Sequence, residues 1–268
     1  MDNVCPIFVL GSPRSGTTLI GNYIGGGLSV CNLIEYSAFY TSYYTIPNEF
    51  ATVPTPFKEK YINEIQEHSK KFAEKIAIEQ KCKYYCDSTP WNLLIIDKLI
   101  KEFPNAIFVL MLRHYSGVIQ SLERSYSSGY IWAGDSWSTR AELWSNFYIK
   151  TRILPRDRTI AISYDDLCKN PKESILNLKS KLSEFGVNIS ELDETQLCVS
   201  HAASQNSARP VIAKKLENGT IEFTSIQSYN SQKWNTDIDD EISSKIELTD
   251  RLLRRLYPHN YTKPKDFI

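Results

Sequence analysis

The stretch Ile7-Phe8-Val9-Leu10-Gly11-Ser12-Pro13-Arg14-Ser15-Gly16-Thr17-Thr18-Leu19-Ile20 decides the fold. Its apolar run lacks alternation, which reads as a strand buried on both faces of a parallel sheet. A turn bounded by Gly11 and Gly16 then leads into a helix that ends near Gly25-Gly26-Gly27. Position for position the turn nearly fits the phosphate-loop pattern G-x-x-x-x-G-K-[ST], with Thr17 where the lysine should stand. Glycines let backbone N–H groups curl around an anion, and the helix directs its positive end at the same point. Arg14 offers the missing cation, with a planar fork suited to phosphate oxygens.

Two further apolar runs, 106–112 and 159–163, read as strands of the same kind. Helical spacing of apolar residues marks 58–80 and 91–103, and Pro171 and Gly186 bracket a helix carrying Ile175, Leu178 and Leu182. A last helix is expected over 238–256. Strands alternating with helices predict an α/β domain: a phosphate-loop-like parallel β-sheet of about five strands flanked by helices, one domain over 1–268. Two stretches, 36–57 and 198–234, break the alternation and are expected to be long loops covering the active site. Within the second, Asn218-Gly219-Thr220 has the form of a glycosylation sequon, without that meaning in a cytoplasmic chain.

The chain has 268 residues, 31 Lys plus Arg against 31 Asp plus Glu, and 42% hydrophobic residues. Disorder and fibre classes are excluded. A net charge of zero leaves no general basic field for nucleic acid or an anionic membrane, so an anion site must be built locally. The longest apolar run is far below the roughly 20 residues that span a bilayer. With no visible export leader, a cytoplasmic location is expected. Six cysteines are expected to be reduced, and Cys82 and Cys86, bracketing part of an expected strand, stand too far apart for a metal site.

A nucleoside-triphosphate enzyme would want a lysine on the terminal phosphates and an acid ending another strand to hold magnesium. Instead, the run 106–112 finishes in Arg113-His114-Tyr115, a cation where the acid would be. The site therefore reads as metal-free and doubly cationic.

The segment Pro13-Arg14-Ser15-Gly16-Thr17-Thr18 resembles the 5′-phosphosulfate loop of the sulfotransferase family, enzymes that use 3′-phosphoadenosine 5′-phosphosulfate (PAPS) and release 3′-phosphoadenosine 5′-phosphate (PAP). The family's second motif is an arginine ending a strand and a serine eight residues later, both on the 3′-phosphate; Arg113 and Ser121 match it. The resemblance implies donor binding by Arg14, Ser15, Gly16, Thr17, Thr18, Arg113 and Ser121. Tyr164-Asp165-Asp166-Leu167 is similar to the family's Tyr-Glu-Asp-Leu element and adds Tyr164 beside the donor, although Asp165 is also placed to cap a helix. Lys233-Trp234 resembles a further landmark, equally explained by a buried Trp.

Small-molecule enzymes resembling this fold use a histidine near the end of the third strand, where Tyr84-Tyr85-Cys86-Asp87-Ser88-Thr89-Pro90 offers none. Glutamate-using branches place the acid seventeen residues past the second threonine of the loop, which falls on Glu35. Desolvation at the end of its apolar segment would make Glu35 a better base. Asp87 is the rival base, with His201 and His114 as weaker candidates. One departure stands out: Ser88 occupies the position of a family lysine, and Lys214, Lys215, Arg209 or Lys233 is left to replace that charge. The expected acceptor is a small molecule, aromatic or cationic, bordered by Tyr36, Phe39, Tyr40, Tyr43 and Tyr44 and by Tyr126, Tyr130, Trp132, Trp137 and Trp144. Two competing readings are a kinase-like phosphotransferase and a non-catalytic adenosine-bisphosphate binding module.

Overall fold

The computed structural model describes residues 4–52, 56–188, 197, 212–225 and 240–261. Five parallel strands form the sheet: β1 (Cys5–Leu10), β2 (Val30–Ile34), β3 (Tyr84–Asp87), β4 (Ile107–Leu112) and β5 (Thr159–Ser163), in the order β2-β3-β1-β4-β5. β1 is central, with Ile7 beside both Cys86 and Ile107. Every residue of β4 is buried, as the unbroken apolar run requires of a strand covered on two faces. Successive side chains split between those faces. Phe8, Leu10, Phe108 and Leu110 enter one core, while Ile7, Val9, Ile107 and Val109 enter the other.

Helices fill both layers. α1 (Thr17–Gly25), α8 (Tyr164–Lys169) and α9 (Pro171–Glu184) pack on the Ile7/Val9 face through Ile20, Ile24, Leu167, Leu178 and Leu182. The Phe8/Leu10 face receives α2 (Ala38–Tyr40), α4 (Lys58–Glu79), α5 (Ile96–Glu102), α6 (Tyr115–Ser127), α7 (Trp137–Tyr148) and α10 (Asp240–Leu256). α3 (Ile46–Glu49) completes the set. Pro171 sits in the first turn of α9, where its missing N–H is harmless, and Gly186 supplies a φ of 78° just beyond the helix end.

After β1 the chain moves to β2 and β3 on one side, then returns to β4 and β5 on the other. The connections leaving β1 and β4 therefore diverge at the carboxyl ends of two adjacent strands, which is where open α/β sheets form a ligand crevice. Arg14 and Arg113 lie on those two connections.

Four expectations need correction. The stretch 36–57 is not a loop at its start, because α2, a π-helical turn (Thr41–Thr45) and α3 run through 38–49. Phe39, fully buried, meets Phe8 at 5.7 Å, Phe103 at 5.3 Å and Tyr85 at 6.3 Å between ring centroids, and this burial folds the segment. Pro47 is tolerated because it falls in the first turn of α3. The pattern at 91–103 divides into a 3-10 helix (Pro90–Ile95) followed by α5. The stretch 198–234 contains an antiparallel hairpin, β6 (Ala213–Lys215) with β7 (Ile221–Phe223), turning at Gly219 with a φ of 83°. The expected cover over the site otherwise falls on residues outside the described set. Cys82 precedes β3 rather than lying in it, and Cys5, Cys31, Cys82, Cys86 and Cys168 are free thiols.

Phe39→Ala should lower stability by about 3–5 kcal/mol, the range for emptying a buried aromatic site. Urea unfolding checks this, and a loss below about 1 kcal/mol would mean that the segment after β2 is a dispensable cover.

Candidate active site

The loop after β1 is shaped by close approach. A Cβ on Gly11 would lie 2.4 Å from Ser15 Oγ and 2.8 Å from the Met111 carbonyl oxygen of β4. The Ser15 N–H and hydroxyl both donate to the Ser12 carbonyl, at 3.1 and 2.6 Å, which closes the turn. Arg14 has a φ of 72°, an unusual conformation for a residue with a side chain, and Gly16 follows at 95°. No side chain caps α1 and its first turn carries no acid, so its leading N–H groups remain suited to an anion. Thr17, at the first helical position, is buried.

Arg113, 6% exposed, stands at the end of β4. Its guanidinium carbon lies 4.2 Å from the centroid of the Tyr164 ring, a cation–π contact. Gly16 and Gly117 close the two sides of this pair. A Cβ on Gly16 would reach 2.5 Å from the Tyr164 ring, and one on Gly117 would reach 2.9 Å from Arg113 Nε. Arg14 Nε donates to Ser121 Oγ at 3.1 Å, and Arg113 Nη1 donates to the Arg14 carbonyl at 2.5 Å. The structure thus gathers Arg14, Gly16, Arg113, Ser121 and Tyr164 from three separate connections. Gly117 carried no signal beyond its residue type, because its neighbour is a side chain four positions earlier on the incoming segment.

His114 has a structural task. Its Nδ1 accepts from Ser116 N–H at 3.3 Å and caps α6, while its own N–H donates to Asp165 Oδ2 at 2.9 Å. Asp165 does not cap α8 as expected. That cap is Ser163, whose Oγ accepts from Asp166 N–H at 3.0 Å.

Glu35 follows β2, between Ile34 at a φ of 56° and Ser37 at 46°. Thr18 Oγ1, in α1, donates to Glu35 Oε1 at 2.9 Å and joins the acid to the phosphate loop. Glu35 is exposed, so the desolvation expected of it is absent. The strained corner is held by β3. Ser88 N–H and hydroxyl donate to the Ile34 carbonyl at 2.7 and 3.1 Å, and Ser37 N–H donates to Thr89 Oγ1 at 3.0 Å. Asp87 is fully buried and accepts from Tyr36 N–H at 3.3 Å, Thr89 N–H at 2.9 Å, Thr89 hydroxyl at 2.6 Å and Asn92 amide at 2.7 Å. Burial pushes its carboxyl up, while these four donors oppose that shift. Fully buried and holding four donors, three of them on Oδ1, Asp87 braces the corner, whereas Glu35 is open to solvent.

Ser88 packs against α1, where a Cβ on Gly21 would lie 2.4 Å from its own Cβ. Lys214 and Lys215 are exposed on β6, whereas His201, Arg209, Lys233 and Trp234 lie outside the described residues. The expected aromatics divide. Phe39, Tyr43 and Trp144 are buried in the core. A connected series of rings runs Tyr44, Tyr40, Trp91, Trp132, Tyr130, with centroids 5.0, 5.9, 6.2 and 6.2 Å apart, and it joins the segment after Glu35 to the segment after α6. Tyr44, Trp132 and Tyr130 are exposed in it. Trp91 was not singled out in the sequence, although it follows the Thr89-Pro90 turn that braces the corner.

A family model described as the sulfotransferase family matches residues 6–183, and the chain belongs to that family. Its members are group-transfer enzymes. Among solved structures, the chain is similar to the sulfotransferase domain from the Synechococcus PCC 7002 olefin synthase, at 17% identity and a TM-score of 0.55 over 98% of each chain. It is equally similar to the sulfotransferase domain from the curacin biosynthetic pathway, at 17% identity and a TM-score of 0.55 over 98% of this chain and 99% of that one. A sulfotransferase from Alicyclobacillus acidocaldarius gives 12% identity and a TM-score of 0.51 over 93% and 94%. No curated protein matches. Among the described residues, no helix is long and apolar enough to cross a membrane.

Asp87→Ala should lower stability by about 2–4 kcal/mol, because it strands buried N–H donors of Tyr36 and Thr89. The urea midpoint reports this, and a loss under about 1 kcal/mol would remove Asp87 as the brace.

Proposed function

We propose that the protein transfers the sulfuryl group of PAPS to a hydroxyl or amine of a small molecule by in-line displacement, releasing PAP. The observation that carries this reading is the convergence of Arg14, Arg113 and Ser121 from two diverging connections onto one crevice. A donor with phosphate at both ends fits such a crevice. The uncapped end of α1 and Arg14 suit the 5′ end, and buried Arg113 with Ser121 suits the 3′-phosphate.

PAPS supplies an activated sulfuryl group on a phosphate leaving group. Glu35 accepts the proton of the acceptor O–H or N–H as the new bond to sulfur forms and the sulfur–oxygen bond to phosphate breaks. The loop N–H groups and Arg14 then stabilise the charge left on that phosphate. Thr18 holds Glu35 next to the loop, which supports a base acting beside the 5′ end of the donor. The exposed series of rings from Tyr44 to Tyr130 suits a planar or cationic acceptor. Two of the similar domains come from biosynthetic systems, an olefin synthase and the curacin pathway, which supports a natural-product acceptor here.

Glu35→Gln should lower transfer by about 10²–10⁴-fold and leave PAP affinity within a factor of two or so, as for loss of a general base. Steady-state transfer to a metabolite library read by mass spectrometry, together with calorimetric PAP titration, checks this. Retained turnover would remove Glu35 as the base, and the absence of any turnover in the unaltered protein would favour a binding module. Arg113→Ala should weaken PAP about 10- to 100-fold and adenosine 5′-monophosphate (AMP) far less, the range for a charged hydrogen bond. Equal losses on both nucleotides would reject its contact with the 3′-phosphate.

A further inference from the structure

The aromatic residues on this side of the sheet fall into two groups. In the core, Phe8, Phe39, Phe103 and Phe108 pack against one another with Tyr85 among them. The series from Tyr44 through Tyr40, Trp91 and Trp132 to Tyr130 contains no phenylalanine. It consists of tyrosine and tryptophan, rings with a negative face that also tolerate water. Tyr44, Trp132 and Tyr130 are 43, 44 and 45% exposed, so the series meets solvent over much of its length.

Trp91 anchors it. The half-buried Trp91 ring meets the fully buried Phe147 at 5.3 Å between centroids, and meets Trp132 at 6.2 Å with an interplanar angle of 80°. Two planes so nearly perpendicular make a corner and not a flat stack. Ties between the two segments bring this corner towards the proposed base. Ser37, two residues after Glu35, donates its N–H to Thr89, two residues before Trp91, and α2, which carries Tyr40, packs against the 3-10 helix that carries Trp91.

Elsewhere the protein's own cations take the aromatic faces: Lys70 over Phe103, Arg113 over Tyr164, Arg140 over Tyr126 and Arg158 over Phe108. Among the described residues, no lysine or arginine lies over any of the five rings of the series. The formal charge beside it is instead the exposed carboxylate of Glu35. A flat neutral acceptor would draw only on the area of these rings. A cation draws on the ring faces and on the carboxylate together, and tryptophan makes the strongest such contact.

We propose that the acceptor is a small hydroxylated ammonium compound, with its cation in the corner of Trp91 and Trp132 and its hydroxyl turned to Glu35. This rests on the transfer reading above and narrows it to one substrate class. As the hydroxyl oxygen bonds to sulfur and the sulfur–oxygen bond to phosphate breaks, the hydroxyl proton passes to Glu35. The products are PAP and a zwitterionic sulfate ester. Trp132, the exposed wall of the corner, determines the preference for a cation.

Choline and 3,3-dimethylbutan-1-ol test this directly, because they share one shape and differ by a charged nitrogen in place of a carbon. In calorimetric titrations at constant ionic strength, choline should bind about tenfold more tightly than the neutral alcohol. Trp132→Leu keeps apolar bulk and removes the ring face. It should cut that preference to about threefold and change the affinity for the neutral alcohol by less than about twofold. Equal affinities in the unaltered protein, or no binding of either compound, would overturn the proposal whether or not the variant folds. Equal losses on both compounds in folded Trp132→Leu would also overturn it, since the ring would then supply area alone. Preference for choline without any affinity for PAP would keep the cation site and reject the donor reading. PAP binding with equal transfer from PAPS to both alcohols would keep the donor reading and reject the cation site.

Discussion

Burying a guanidinium is unfavourable by several kcal/mol unless its donors and its charge are met, and the end of β4 is organised around meeting that demand at Arg113. The Tyr164 ring accepts the cation on one face, the Arg14 carbonyl accepts an N–H, and Gly117 leaves the space that any side chain would fill. Each partner arrives on a different connection. Tyr164 follows β5, Arg14 follows β1 and Gly117 lies in α6, so the guanidinium is placed only when three neighbouring parts of the sheet are assembled. Fold and site are for that reason inseparable here: the parallel sheet supplies the convergence, and the two glycines supply the room.

The same economy of space explains which parts of the molecule were legible in the sequence. β1 and β4 are buried on both faces, and such strands announce themselves as unbroken apolar runs, while the edge strand β5 is only partly buried on the face of Thr159 and Ala161. Arg113 and Ser121 were legible through their match to the family's arginine–serine motif, whose spacing runs from a strand end to a point nearly two turns into the next helix. The helical stretch after Glu35 was misread because Pro47 and dense tyrosines resemble breakers. A proline in the first turn breaks nothing, and the core demand for Phe39 overrides local preference. The β6–β7 hairpin was missed for the opposite reason. Its strands are three residues long and carry little periodicity, and the Asn218-Gly219 turn signal doubles as a glycosylation sequon.

What stayed hidden in the site is what acts across distance. Trp144 and Tyr148 meet Arg113 from 31 and 35 positions away, and as large aromatics on an amphipathic helix they are fully explained by core packing. Only coordinates show that each aims its polar atom at a backbone group of one arginine. Asp87 was a reasonable rival to Glu35 by residue type and strand position, because sequence does not reveal how many donors surround a carboxylate.

The contrast between those two acids is the strongest physical support for the proposed base. A carboxylate offers about four lone-pair directions. At Asp87 the backbone of Tyr36, the backbone and hydroxyl of Thr89 and the Asn92 amide make claims on them, and the group is sealed from solvent. At Glu35 the Thr18 hydroxyl bonds Oε1, and the side chain remains open to a small molecule. The two are also linked mechanically. Asp87 grips the residue that follows Glu35, while Ser88 and Thr89 grip Ile34 and Ser37, the positive-φ residues on either side of it. Strain at a β-branched residue such as Ile34 persists only where its surroundings enforce it. The buried acid and its neighbours do the enforcing, which leaves the other acid projecting, unsealed, beside the loop that would hold the donor.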